Sequence, residues 1–136
     1  MRRILLSAII ALATLPAQAQ PFPRESLANV EQGKSAPYVG AWAISMPGGP
    51  TYATCDKPIH FEAADETHIF YIGTDGAEPD AAIELVPDGR RTNWEPIAGG
   101  PRSLTLWIDQ NTFHLYDAEV VSDEEWTQPL VYRRCP

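Results

Sequence analysis

From Tyr38 onward, apolar and polar residues alternate in short runs, broken roughly every 8 to 12 residues by glycine, proline or aspartate. That is the rhythm of an all-β sandwich or barrel. The clearest run is Ser103 to Asp109, where Leu104, Leu106 and Ile108 share one face and Ser103, Thr105 and Trp107 the other, because successive side chains of a strand point oppositely. Asp109-Gln110-Asn111 supplies turn chemistry, and Thr112 to Glu119 follows with Phe113 and Leu115 opposed to His114 and Tyr116, so a hairpin is predicted. A second hairpin turns at Pro87-Asp88-Gly89, joining Ala81–Val86 to Arg91–Ile97. Thr67 to Ile72 is apolar on both faces, Ile59 and Phe61 alternate with His60 and Glu62, and Leu130 to Cys135 forms the last strand. With runs after Tyr38 and at Thr51 to Cys55, the pattern predicts eight or nine strands joined mostly by short turns. A small antiparallel meander barrel is favoured over a sandwich, because closure removes the exposed strand edges. Its interior is expected to hold Ile69, Leu85, Leu104, Leu106, Phe113 and Leu115, with Trp94, Trp107, Tyr116 and Trp126 at outer or rim positions.

The chain before Tyr38 reads differently. Arg2 and Arg3 precede an apolar stretch from Ile4 to Leu15, and Pro16 and Ala17-Gln18-Ala19 complete the pattern of a cleaved secretory signal, residues 1–19. That stretch is too short to cross a bilayer, and no later run reaches the roughly 20 apolar residues required. Residues 20–37 form a polar lead-in segment packed on the outside, with one helical turn expected near Ser26 to Gln32. Residues 38–136 form a single domain.

Export places Cys55 and Cys135, the two cysteines of the chain, in an oxidising compartment, periplasmic or extracellular, where they are expected to pair. Charge narrows the partners. The 136 residues carry 18 acids, and without Arg2 and Arg3 eight bases remain, giving a net charge of −10. Such a surface repels nucleic acid and anionic membranes.

Gly40-Ala41-Trp42 opens the first strand directly after the lead-in, and Arg133-Arg134 lies on the last. This arrangement resembles the calycins, the lipocalin-like barrels, in which a late arginine covers an early tryptophan at the closed end. The resemblance implies that either Arg133 or Arg134 lies over Trp42, next to Gly40. In size and plan the chain is most similar to the small bacterial periplasmic metalloprotease inhibitors, which carry a short lead-in and one disulfide. It departs from them in the long loop that Cys55 and Cys135 would close. In that family a free N-terminal segment enters the protease cleft; the matching residues here are Gln20-Pro21-Phe22-Pro23, and cyclisation of Gln20 would abolish the amine.

No nucleophile elbow, zinc-protease motif or phosphate loop is present, so the chain is read as no enzyme and without a cofactor. His60 with Glu62, and His68 with Glu66, have the i, i+2 spacing that could hold zinc or copper, with His114 on another strand. The commoner meaning of such histidines is an exposed surface, and no metal site is assigned. Asp117, Glu119, Asp123, Glu124 and Glu125, followed by Trp126, lack the spacing of a calcium loop. They suit a solvated loop or a surface for a basic partner.

The expectation is therefore a monomeric, exported, non-enzymatic binding protein, an inhibitor of a protease or other hydrolase, contacting its partner through Phe22 and the acidic loop. The alternatives are a carrier holding a small apolar molecule in an empty barrel, and a metal-handling protein.

Overall fold

The protein, seen in a computed structural model that describes residues 25–121 and 128–136, is all-β. Its strands are β1 (Gly40–Ser45), β2 (Thr51–Ala53), β3 (Ile59–Ala63), β4 (His68–Ile72), β5 (Ala81–Asp88), β6 (Arg91–Pro96), β7 (Ser103–Asp109), β8 (Thr112–Asp117) and β9 (Leu130–Arg134). All pairings are antiparallel, and β9 returns to β1, so eight strands close a barrel and β2 is an additional segment. Both β2 and β3 lie on the same edge of β1: Trp42 faces Ile59, and Ile44 faces Ala53. Between them residues 54–58 leave the wall in a turn, and β2 is paired with β1 alone.

The meander sorts its connections between two ends. Residues 64–67, Gly89-Arg90 and Gln110-Asn111 make tight turns at one end, where the C-terminus also lies, while residues 46–50, 73–80 and 97–102 make longer connections at the other, where residues 118–121 leave β8. Each tight turn has a local cause. Asp109 Oδ1 accepts the Asn111 N–H at 2.7 Å, Asp65 Oδ1 accepts the Thr67 N–H at 2.9 Å, and Gly89 takes a φ of 61° that side chains rarely adopt. The β5–β6 turn is tighter than the sequence suggests: Pro87 stays in its strand opposite Thr92, and Asp88 faces Arg91.

The described part of the lead-in, residues 25–37, runs across one end of the barrel and closes it. Residues 26–32 form no helix; instead a single 3₁₀ turn at Ala36–Tyr38 drives the Tyr38 ring into the lumen, where it is 1% exposed. Ser26 Oγ accepts the Trp107 N–H at 2.9 Å, Leu27 N–H donates to the Trp107 carbonyl at 2.8 Å, and Ser35 Oγ donates to the Asp65 carbonyl. A chain crossing the end of a barrel must satisfy its own polar groups, and these bonds do so.

Aromatic rings fill the interior. Tyr38, Trp42, Phe61, Trp94, Trp107, Phe113 and Tyr132 form a connected cluster, closest where Phe113 and Tyr132 stack at 4.5 Å. Such ring pairs contribute about 0.5–1.5 kcal/mol each beyond area burial. Two expectations are reversed here. Trp94 and Trp107 point inward, and Leu104 and Leu106 point outward, where with Tyr116 they make a second buried cluster under Ala118 and Val121. The reason is register: Trp107 pairs with Phe113 and Thr105 with Thr92, so the polar-looking face of β7 is the lumen face. Trp107 and Tyr116 consequently lie on opposite faces and do not pack across the hairpin.

Candidate functional site

The two ends of the barrel differ in chemistry as well as in shape. At the plugged end the Arg134 guanidinium lies 4.3 Å from the Trp42 ring centre, and it donates to the carbonyls of Val39 and Pro37 and to Asn111 Oδ1. Gly40 permits this: its φ is 133°, and a Cβ there would stand 3.1 Å from the guanidinium. Arg133, next in line, points out of the barrel and is exposed. Trp42 Nε1–H donates to the Tyr38 carbonyl at 2.7 Å, so one arginine and one tryptophan hold the plug between them.

Beneath the plug sits a buried polar node. Thr105 Oγ1 donates to the Thr92 carbonyl at 3.0 Å, which leaves the Tyr38 hydroxyl as donor to Thr105 at 2.7 Å. Thr92 Oγ1 in turn donates to Gln32 and accepts the Gly33 N–H. Burial raises the Tyr38 pKa, keeping the phenol protonated, and no base adjoins it. This node fastens the plug to the wall.

The histidines stand apart. His60 and His68 lie on the outside of neighbouring strands, but His60 pairs with Ile72, four residues along β4 from His68, a separation of about 13 Å. His68 Nδ1 meets Asp65 Oδ1 at 2.8 Å and not Glu66, which is taken by Lys34. The Thr67 N–H, then His68, hold the Asp65 carboxyl below its usual range. His114 is on β8 beside Tyr116, its pKa lowered by burial and by Arg133. Among the described residues no three His, Cys, Asp or Glu side chains converge on a point.

The other end is open and acidic. Its described connections and strand ends carry Asp75, Glu78, Asp80, Asp117 and Glu119 against Arg102, and one lysine, Lys57, reaches across from the excursion between β2 and β3 to Asp75 at 3.0 Å. Around the plugged end the charges are mixed, the bases Lys34, Arg90, Arg91, Arg133 and Arg134 lying among Glu25, Glu31, Glu62, Asp65, Glu66, Asp88 and Asp109. Exposed apolar side chains occur at both ends: Tyr52, Ile97 and Val120 at the open end and Leu27 and Val39 at the plugged end, each 40% exposed or more. Asp117 caps its own turn by accepting the Glu119 N–H at 3.0 Å. Phe22, Asp123, Glu124, Glu125 and Trp126 lie outside the described residues.

Next to β2 the open end is indented by a cleft of about 550 Å³. Buried Ile44 and Ile59 form its floor, Tyr52 and Tyr71 its sides, and Asp75, Glu78 and Asp80 its border. It exists because, among the described residues, β2 pairs with β1 alone, so the wall is unzipped between β2 and the 73–80 connection. Asp80 Oδ2 accepts the Gly73 N–H at 2.9 Å and the Asp80 N–H donates to the Tyr71 carbonyl, closing the base of that connection. Burial first, and the Asp80 charge second, raise the Tyr71 pKa. Sequence reading missed this cleft; its signal was the turn-rich Thr54-Cys55-Asp56-Lys57-Pro58, which interrupts one wall position rather than linking two.

Cys55, in that excursion, is bonded to Cys135, one residue beyond β9, with Cα atoms 5.5 Å apart. The bond joins the elements that flank β1. The disulfide fits a secreted or periplasmic protein. No helix among the described residues is long and apolar enough to cross a membrane. Comparison with protein-family models, curated proteins and solved structures gave no match.

Proposed function

We propose that the chain is an exported, non-enzymatic binding protein that inhibits a protease or other hydrolase by docking its acidic open end on a basic surface of that enzyme. The observation that carries this reading is the distribution of charge: at the loop-built end five carboxylates stand against Arg102 and Lys57, while at the plugged end charges of both signs are mixed. Loops on a rigid barrel are where binding residues concentrate, and complementary charge accelerates association. The Arg134–Trp42 contact and the plugged barrel support kinship with calycins, and the single disulfide and leader support a periplasmic site. The carrier reading is weakened by a lumen packed with seven large rings, which a ligand would have to displace.

Titration against a panel of secreted hydrolases tests the proposal. Inhibition of a basic member is expected, weakening as salt rises from 50 to 500 mM because exposed charges are screened over about 10 Å or less. Inertness towards the whole panel would remove the inhibitor reading.

A further inference from the structure

The cleft beside β2 is not required by the fold, and its chemistry is mixed in a particular way. An anion is repelled by Asp75, Glu78 and Asp80, and a wholly apolar ligand would strip water from those carboxylates without pairing them. A group with an apolar stem and a cationic head satisfies every part: methylenes on Ile44 and Ile59, the cation against the phenol faces of Tyr52 or Tyr71, and charge-assisted hydrogen bonds to the border. The protein already places one such pair there, since Lys57 Nζ meets Asp75 Oδ1 at 3.0 Å. Asp80 spends one oxygen on Gly73, and Glu78 has no ion-pair partner among the described residues. We infer that this cleft receives an arginine or lysine side chain presented by the protein partner. The inference rests on the binding-protein reading and gives that surface its central anchor. The unpaired edge of β2 adds backbone groups for the segment carrying that side chain.

The probe is a capped pentapeptide with one central arginine among glycines, titrated into ¹⁵N-labelled protein beside the same peptide with citrulline, which keeps the shape and removes the charge. Saturable shifts confined to residues 51–53 and 73–80 are expected, with citrulline binding roughly tenfold weaker. Glu78→Gln should weaken the arginine peptide, and Lys57→Met, which frees Asp75, should tighten it; dispersed amide spectra report that each variant is folded. Equal binding of citrulline, shifts elsewhere, or no tightening in Lys57→Met overturns the inference. A silent hydrolase panel with an arginine-selective cleft removes only the inhibitor reading. An inhibited hydrolase whose affinity ignores Glu78→Gln removes only the cleft.

Discussion

At the plugged end, Arg134 donates to the Val39 and Pro37 carbonyls, Trp42 to the Tyr38 carbonyl and Tyr38 to Thr105, and the turns are two to four residues long. At the open end the connections are longer, the border carboxylates face water, and the wall itself is interrupted beside β2. The difference teaches that the two ends of so small a barrel are built differently: hydrogen bonds between side chains and backbone fasten one, and at the other the side chains are left to solvent, where the proposed partner would meet them.

Substitution should expose this asymmetry most strongly at Trp42. Trp42→Ala removes a fully buried ring that also donates to the plug and should cost about 3–5 kcal/mol in urea unfolding. At the open end Ile97→Ala should stay within about 0.5 kcal/mol. Equal costs would dissolve the distinction between the ends.

Removing the disulfide comes next. With 80 residues of separation between Cys55 and Cys135, chain entropy sets a ceiling of about 4.5 kcal/mol, and the double Cys→Ser variant should lose about 2–4 kcal/mol of that. A melting temperature unchanged by reduction would show that β1 is held by its ladders alone. Arg134→Met should lose about 1–3 kcal/mol, because the cation leaves the Trp42 face and two carbonyls lose their donor. Arg134→Lys keeps the charge without the fork and should recover only part of it.

Acid titration sharpens the comparison further. The folded His114 pKa lies below 6.5, from burial and then Arg133, so the unfolded chain binds its proton first. Its contribution is therefore complete above pH 6.5 and is lost as pH falls through the folded value. Asp65 has the same sign in a lower window, beginning below its ordinary 3.8. Melting temperature should drop between neutral pH and pH 5, and His114→Gln should flatten that drop. The smallest effect on stability is expected for Glu78→Gln, exposed and without an ion pair, within about 0.5 kcal/mol.

Alternation made the strands, the hairpins and the closed sheet legible, and the cysteine count made the disulfide legible. It did not decide which face of β7 is inside, because both are buried: Leu104 and Leu106 under Ala118 and Val121, Thr105 and Trp107 in the lumen. Only cross-strand register settles that, and register is a property of distant partners. Tyr38 was equally opaque. Nothing near it in sequence indicates that its hydroxyl will find Thr105, 67 residues away. The cleft escaped because Thr51–Ala53 and Ile59–Ala63 read as two neighbours in a meander, whereas both occupy the same edge of β1.

The most direct test is the hydrogen-exchange footprint of an inhibited hydrolase on this protein. Protection should gather on residues 46–53, 73–80 and 97–102, leaving Pro37 to Gly40, Gln110-Asn111 and Arg134 unchanged. Protection centred on the plugged end, with the open end untouched, would contradict the account.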